Sequence, residues 1–598
     1  MDRINFKKQF LLVFTKLLAG LLFTSVYSQS KLGHNELISK LKDIPREYTY
    51  VHTNNSLFLT GEYIYYGIYC LNDQTKLLTE LSKVAYVELV DRQGKSIFKH
   101  KVKLNAGTGN GDFFIPTSTP SGSYKLLCYT QWMQNGALKD IFQVDIHIVN
   151  PYQADQNGVN TISNNDSIVS PVDIPLQTIS KDPSTRSLLI PLNKYVFYQR
   201  ERVVLDLSTF HGTMAGGYYS ISVRKKNELP TPNNDKIDRY LDSLTPDEYS
   251  FSDNIENTLF IPELRGELFQ GKVLPKNQND PIKNLKIGIS IPGDHPYFTI
   301  SKTDEKGHFY YNIANYYSGD QVVFEILDDD NNKYSFGMIQ KPFRDLDQLH
   351  FSDLKIDLSM KDAILKRSIS NQIENSYFKF KPDSTVLPRS KQIFSESLRK
   401  TYILDDFTRF KTIRETVFEY VKDVVIRRIN KNKSVIRVKG YNFGTNSLAL
   451  PLVLIDGVII QNHNALLDYE SANIKSIEVL RDQFIIGPQI YQGAVLVKSK
   501  KGLELTNYSS LGIPNFIEFF KSLETKKYYK QSYLESNMAR KLPDYRYQIL
   551  WQPVKKFTAN DLNLDFYTSD VSGIYEIILQ GITSTGKPIS AIQSFMVN

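Results

Sequence analysis

The chain has 598 residues, too many for one hydrophobic core, so we expect roughly four or five domains. Hydrophobic residues make up 41% and charged residues 23%, an ordinary globular composition that excludes a largely disordered chain. The formal net charge of +8 comes from scattered Lys and Arg, without the basic stripe that binds nucleic acid. Aromatic residues, at 12%, favour strands over helices. The composition therefore predicts a mainly β protein with no nucleic-acid partner.

Residues 1–28 are typical of a secretory signal peptide. Lys7 and Lys8 form a positive head, Leu17–Val26 supplies an apolar run, and Ser28 is a small residue at the expected cleavage site. The apolar run is short for a membrane span, and an uncleaved anchor is the alternative. We therefore expect an exported protein with no integral membrane span after signal cleavage. The periplasm, the outer membrane and the cell surface are the compartments that this prediction leaves open.

The chain contains two cysteines, Cys70 and Cys128. Outside the cytoplasm two such thiols in one domain can pair as a disulfide. Each lies in an apolar, strand-like segment, where a buried free thiol is an equally good interpretation. Both alternatives stay open, and without a nearby His the pair predicts no metal site.

Residues 45–150 have the pattern of an antiparallel β-sandwich, with short apolar strands separated by Gly, Pro and Asp turns. Several of its segments resemble the macroglobulin-type Ig-like domain of exported Bacteroidetes proteins. These segments are Gly61–Glu62, Tyr86–Leu89, Ser121–Tyr124 and Tyr129–Met133. The resemblance implies an Ig-like fold, and we expect its aromatic residues to pack in the core.

The next segments alternate between linkers and further β units. Residues 151–185 are polar and predict a linker. Residues 186–258 predict a second, abbreviated Ig-like sandwich with a connector. Residues 259–345, with a tight turn at Gly307, resemble the carboxypeptidase-regulatory-like sandwich. Residues 355–430 predict a helical connector, with helices at Ser359–Tyr377 and Thr412–Tyr420. Residues 506–598 predict a helix at Phe516–Leu523 followed by a C-terminal β domain.

Residues 431–505 carry the most specific pattern of the chain, in three pieces. These pieces are Pro451–Gly457, Ile474–Asp482 and Gly493–Gly502. In this order and spacing they resemble the plug domain of TonB-dependent outer-membrane receptors, a small α+β domain. The residues that carry the resemblance are Asp456, Gly457, Ile477, Glu478, Val479, Gly493 and Gly502. Asp456–Gly457 is also a strong hairpin signal in its own right, because the turn demands positive φ.

The plug-like segment departs from a receptor in two ways. The segment Gln483–Gln492 is shorter than the loop that usually precedes the last plug strand. A receptor plug is also followed by a barrel of many amphipathic strands, for which the residues after Gly502 do not suffice. No TonB-contacting segment can be identified either. Transport by this chain alone is therefore not expected.

The sequence shows none of the patterns that predict catalysis or a cofactor. It has no H-E-x-x-H and no G-x-S-x-G, and neither cysteine belongs to a Cys-Gly-Glu-Gln thioester. The loop Gly581–Lys587 is followed by Pro588, so we interpret it as a hairpin and not as a phosphate-binding loop. Asp328–Asn332 lacks the Gly and Glu of a calcium loop and predicts a solvated hairpin tip. We expect no catalytic residue, no cofactor and no metal.

The sequence thus predicts a mainly β fold: tandem Ig-like, macroglobulin-type β-sandwiches with a small α+β plug-like domain. The expected function is that of a non-catalytic scaffold or binding protein of the cell envelope. It would dock to an outer-membrane protein, or to a transport or assembly complex, through its sandwiches and its plug-like domain. The alternatives are an enzyme acting on glycans or peptides through an unrecognised site, and a protein similar to a protease trap.

Overall fold

The computed structural model of the chain places most of its residues. The described residues are 43–153, 160–161, 190–207, 216–232, 234–244, 260–327, 331–339, 346–387, 394, 399–440, 449–502, 511, 516–534, 541–558 and 563–598. The predicted signal peptide, most of the predicted linker 151–185 and the tip at Asp328 lie outside them. Three β-sandwiches and one mixed sheet with helices make up the fold, which confirms the prediction of a mainly β protein with tandem sandwiches. None of the helices in the described ranges has the length and apolar character to cross a membrane.

The first sandwich occupies residues 47–149, as predicted. Its strands are β1 (Glu47–Thr53), β2 (Leu57–Leu59), β3 (Tyr63–Asn72), β4 (Val84–Val90), β5 (Ser96–Lys103), β6 (Thr108–Phe114), β7 (Gly122–Tyr129) and β8 (Phe142–Val149). One sheet has the order β1-β3-β6 and the other β2-β8-β7-β4-β5. Their inner faces form one core that includes Tyr66, Tyr69 and Leu126. The aromatic residues therefore pack in the core, as expected.

The two cysteines lie in this core as free thiols, so the structure matches the second of the two alternatives and contains no disulfide between them. Cys70 is on β3 and Cys128 on β7, and both are fully buried. Burial raises the pKa of the Cys128 thiol to about 12 and also raises that of Cys70. Both groups are therefore protonated at neutral pH and unreactive.

The second sandwich is built from two distant parts of the chain. Its strands are β10 (Val196–Phe197), β11 (Arg202–Asp206) and β12 (Tyr218–Lys225), with β30 (Gln548–Lys556), β31 (Asn563–Tyr567), β32 (Gly573–Ile582) and β33 (Pro588–Val597). One sheet has the order β10-β33-β32-β12-β30, and β11 pairs with β31. Residues 186–258 and 506–598 were predicted as separate units, and the structure corrects this. Strand β12 is central, so both its edges need partners, and the C-terminal strands supply them.

The third sandwich begins with the predicted segment 259–345. Its strands are β13 (Glu267–Pro275), β14 (Lys286–Ile291), β15 (Tyr297–Lys302), β16 (His308–Ile313), β17 (Gln321–Ile326), β18 (Tyr334–Met338) and the later β28 (Ile517–Glu518). The sheets have the orders β16-β13-β18 and β15-β14-β17-β28. Strand β13 alternates buried and half-buried residues, which is the period of a sheet with one face on the core.

The predicted helix at Phe516–Leu523 is wrong, because this segment is extended. Ile517 and Glu518 pair with the edge of β17, and Phe519 enters the core of the third sandwich. The Phe519 ring lies edge-on to Phe269, with centroids 5.2 Å apart. Tertiary packing and strand pairing thus override the local helical spacing.

The plug-like unit comprises residues 399–440 and 449–502. Its elements are β21 (Arg399–Ile403), α3 (Ile413–Tyr420), β22 (Val424–Arg428), β23 (Ser434–Val438), β24 (Leu452–Ile455), β25 (Val458–Ile459), α4 (His463–Leu467), β26 (Ile474–Ile486) and β27 (Gln489–Ser499). The sheet order is β21-β26-β27-β24-β25, and β22 pairs with β23. Tyr402, Ile413 and Val417 share its core, so β21 and α3 belong to this unit and not to the predicted connector 355–430.

The predicted helix at Ser359–Tyr377 is confirmed. The remaining elements are α1 (Ile237–Ser243), α2 (Lys361–Ser376), β9 (Asn160–Thr161), β19 (Lys355–Ile356), β20 (Ser384–Thr385) and β29 (Lys526–Lys527).

Helix α2 packs Ile364 against an apolar cluster of the first sandwich that includes Leu57. Arg367 of α2 donates to both carboxylate oxygens of Glu62 at 2.6 Å. This largely buried ion pair fixes the helix on the sandwich.

We predict that Arg367→Ala destabilises the protein by about 3–5 kcal/mol at pH 7, because it leaves the Glu62 carboxylate buried without its partner. Burial by itself raises the pKa of Glu62, but the charge and hydrogen bonds of Arg367 outweigh it and hold the pKa below its usual value. The stability from this pair is thus present above the unfolded-state pKa and is lost as the pH falls through the lower folded-state pKa. Urea denaturation at several pH values measures the difference in the free energy of unfolding between the unmodified protein and the variant. We expect this difference to become smaller as the pH falls.

The exposed ion pair Arg92–Asp353, at 2.6 Å, provides the matched control. Arg92→Ala removes a pair of the same chemistry where water screens both groups, so no measurable change in stability is expected. If both substitutions changed the free energy of unfolding equally, the buried Arg367–Glu62 pair would not be the source of the stability. The same conclusion would follow if the loss in Arg367→Ala did not depend on pH.

Candidate binding cleft

The plug-like sheet is held directly on the third sandwich. Phe298 and Ile300 of β15 form one buried cluster with residues of the plug-like sheet, among them Leu452 and Leu480. Beside this cluster the Ile459 amide donates to Ser290 Oγ at 3.1 Å. Apolar packing with a buried hydrogen bond therefore holds the plug-like sheet against the third sandwich.

Asp456 and Gly457 form the turn between β24 and β25, as their sequence predicts. Both have positive φ, 48° and 87°, which is the backbone that a tight hairpin requires. A Cβ atom on Gly457 would lie 2.2 Å from Cβ of Pro296 in the third sandwich. Glycine is therefore required here for a second reason, which is the close contact between the turn and the neighbouring unit.

A cleft of about 950 Å³ opens between the two units beside this turn. One wall comes from residues 292–296 and 318–321 of the third sandwich, and it exposes the carboxylates of Asp294 and Asp320. The other wall belongs to the plug-like unit and is basic. It carries Arg399, Lys475, Lys498, Lys500 and Lys501. The two walls thus present opposite charges to whatever enters the cleft.

Glu478 lies at the centre of the basic wall. Its carboxylate accepts from Arg399 Nη1 at 2.8 Å and lies 3.0 Å from Lys498 Nζ. Partial burial favours the neutral acid, but the two cations outweigh it and hold the pKa of Glu478 below its usual value. The group is therefore ionised at neutral pH, and its function is to hold Arg399 and Lys498 in place.

Other polar groups of the cleft are not used within the protein. Asp456 Oδ1 accepts from the Ser499 amide at 2.9 Å, whereas Asp456 Oδ2 and Ser499 Oγ have no hydrogen-bond partner among the described residues. Lys475 and Lys501 are exposed, and neither forms an ion pair within the described part of the chain. The two polar oxygens are buried, so the exposed ammonium groups of Lys475 and Lys501 are the ones available to bind another molecule.

The structure separates the predicted signature residues into two groups. Asp456, Gly457, Glu478 and Gly502 line the cleft. Ile477 and Val479 are buried in the core of the plug-like unit. Gly493, with φ of 77°, lies opposite a register shift between β26 and β27. These last three residues therefore form the sheet and do not reach the cleft.

Sequence reasoning missed most of the basic wall and all of the acidic wall. The sequence did contain a signal for the basic wall, because Lys498, Lys500 and Lys501 follow directly on an apolar strand. Nothing local could show that Asp294 and Asp320, far earlier in the chain, lie across from them. Within the described ranges no group of three or more His, Cys, Asp and Glu residues gathers that could hold a metal ion.

No protein-family model matches the chain, and no curated protein matches it. Among solved structures, Salmonella alpha-2-macroglobulin reacted with methylamine is 7% identical, with 92% of this chain and 23% of that chain covered and a TM-score of 0.15. Escherichia coli alpha-2-macroglobulin activated by porcine elastase is 7% identical, with 92% of this chain and 44% of that chain covered and a TM-score of 0.23. A Listeria innocua beta-glucosidase is 12% identical over 17% of this chain and 16% of that chain, with a TM-score of 0.13. The chain thus covers less than half of each, and similarities this low carry no argument about its fold or function.

We predict that Gly457→Ala destabilises the plug-like unit by about 1–3 kcal/mol more than Gly502→Ala. Both glycines have positive φ, so the backbone strain is shared, and a Cβ on Gly502 meets nothing within 4 Å. The additional cost at Gly457 comes from the collision with Pro296, whose ring cannot turn away. Urea denaturation of both variants provides the measurement. Equal urea midpoints for the two variants would show that the Asp456–Gly457 turn does not contact the third sandwich.

Proposed function

We propose that this protein is a non-catalytic binding protein of the cell envelope. It docks to an outer-membrane protein, or to a complex containing one, through the cleft between the third sandwich and the plug-like unit. The sandwiches act as a rigid support, and the cleft receives a polar segment of the partner that carries both charges. The signal-peptide pattern of residues 1–28 and the resemblance to receptor plugs support the envelope location.

The observation that carries the proposal is the charge arrangement of the cleft. Unpaired Lys475 and Lys501 share a cleft of about 950 Å³ with Asp294 and Asp320, which belong to its other wall. Opposed charges of this kind fix the direction in which a segment enters and speed its association. They suit recognition of a partner chain, in which several weak contacts act together.

The ionisation of Glu478 supports binding over proton transfer. A general acid or base works best when its pKa lies near the operating pH. Arg399 and Lys498 move the pKa of Glu478 in the opposite direction, away from neutrality. The most enclosed carboxylate of the basic wall is therefore suited to positioning charges and not to exchanging protons.

We predict that the double variant Lys475→Glu with Lys501→Glu loses most of its capture of the outer-membrane partner. The experiment uses the tagged full chain, cross-linked in intact cells that produce it, followed by quantitative mass spectrometry of the recovered outer-membrane proteins. Recovery should fall at least about tenfold, since reversed charges repel the segment that the lysines bind. Raising the salt concentration should weaken capture by the unmodified protein, because exposed charges are screened.

The matched control is Lys361→Glu with Lys366→Glu, which makes the same change of charge on the exposed face of α2. This control should capture as the unmodified protein does. Equal losses in both double variants would contradict the cleft as the docking site. Failure to recover any outer-membrane protein, together with turnover of glycans or peptides by the purified chain, would support the alternative of an enzyme.

A further inference from the structure

A second cavity lies where the first sandwich, the second sandwich and helix α2 meet. Its volume is about 170 Å³, and it shares no lining residue with the binding cleft. Its lining includes Asn371 and Glu374 of α2, Tyr65 of β3 and Trp551 of β30. Exposed Asn375 and Phe378 stand at its mouth, so the cavity is open to solvent. We call it the aromatic cavity.

One side of the aromatic cavity is a run of near-parallel rings. Tyr63 lies 5.7 Å from Tyr65 and 6.2 Å from Phe378, with interplanar angles of 17° and 15°. Tyr65 lies 6.0 Å from Trp551 at 21°. Near-parallel rings with centroids this far apart are offset. Phe378 is exposed and Tyr63 and Tyr65 are partly exposed, so these three rings present an apolar surface, whereas Trp551 is buried.

The cavity also contains hydrogen-bond donors that the protein leaves unused. Asn371 Nδ2 and Trp551 Nε1 have no hydrogen-bond partner among the described residues, although both atoms are shielded from bulk water. Trp551 is only 5% exposed. A buried donor without an acceptor costs stability. Such donors beside a flat apolar surface indicate a ligand that supplies oxygen acceptors.

Most of the charged residues around the cavity are paired with one another. Lys381 Nζ donates to Glu374 Oε2 at 2.7 Å, and Arg546 donates to both carboxylate oxygens of Asp544 at 2.6 Å. Asp383 accepts from the Tyr529 amide at 2.8 Å. Arg224 donates only to uncharged oxygens, so Arg224 and Asp383 are not ion-paired among the described residues, but their charges are opposite and the lining has no excess charge. The cavity therefore favours a neutral ligand.

We infer that the aromatic cavity binds a single neutral pyranose ring, either free or at the end of a glycan. The apolar face of such a ring carries C–H groups that pack on aromatic faces, and its hydroxyl oxygens accept from unpaired donors. The volume is adequate for one ring and not for a chain of them. This binding activity is independent of the proposed docking through the cleft, and either can fail without the other.

The two tryptophans of the chain allow a direct test. In a Trp132→Phe background, Trp551 is the only indole, so its fluorescence reports on the cavity alone. The probes are methyl β-glucoside, methyl β-galactoside, methyl α-mannoside and N-acetylglucosamine, titrated into the full chain. At least one should change the Trp551 emission in a saturable manner. Saturation-transfer NMR should then show contact at the ring protons of the same sugar.

Phe378 and Phe380 supply a matched pair of variants, since both are about half exposed in one short helical turn and only Phe378 lines the cavity. Phe378→Ala should weaken binding of the sugar about tenfold through loss of ring contact. Phe380→Ala should leave it unchanged. Asn371→Leu, which removes the unused donor on the helix, should also weaken binding.

Three results would overturn the inference. The first is the absence of any saturable response to the four sugars while the protein is folded. The second is an equal loss of affinity in Phe378→Ala and Phe380→Ala. The third is a response to N-acetyltyrosinamide and to no sugar, which would identify the cavity as a pocket for an aromatic side chain.

Discussion

The structure depends on one pairing, in which the end of the chain returns to complete a sheet that began more than three hundred residues earlier. Strand β12 lies between β30 and β32 and bonds to both. Its residues Tyr219, Ile221 and Val223 are fully buried, so the strand cannot remain without these neighbours. All residues between β12 and β30, including the third sandwich and the plug-like unit, are therefore inserted into the second sandwich. The chain leaves the second sandwich after β12 and returns to it at β30.

This return also joins the first two sandwiches. Between them His52 Nδ1 lies 2.7 Å from Ser220 Oγ, Tyr69 donates to the Gln580 carbonyl at 2.8 Å, and the Val554 amide donates to Asn110 Oδ1 at 2.7 Å. The first two bonds are buried and the third is partly buried, so each joins the two sandwiches where water competes little for its polar groups. Burial lowers the pKa of His52 to about 3, so it stays neutral.

Two sites follow from this arrangement, and both lie between units. The aromatic cavity exists only because Trp551 and Arg546, from the C-terminal part, meet Tyr65 of the first sandwich and Asn371 of α2. The binding cleft exists because the Gly457 turn abuts Pro296. In each case rigid contacts beside the site hold its walls apart at a fixed distance. Both proposed binding surfaces are thus consequences of how the units pack.

Local patterns were sufficient for the elements that local chemistry decides. The first sandwich follows from short strands with frequent turns, the turn at Asp456–Gly457 from its demand for positive φ, and α3 from Thr412 and Glu415, which form a reciprocal cap. The extended form of Phe516–Leu523 could not be predicted, because it is set by pairing with Gln321–Val322. The C-terminal strands were predicted as strands, but their pairing could not be, because their partner β12 is remote in sequence. The aromatic cavity and most of the cleft were missed for this reason, since their walls come from segments that only the folded chain brings together.

Native-state hydrogen exchange in increasing urea reports directly on whether β12 and the C-terminal strands share one sheet. If β12 and the C-terminal strands form one sheet, the amides of Tyr218–Lys225 and Gly573–Ile582 open together, with one free energy and one dependence on urea. The plug-like strands β26 and β27 serve as an independent reference in the same experiment. If Gly573–Ile582 opens as a separate unit while Tyr218–Lys225 stays protected, the two segments do not share a sheet and the account is wrong.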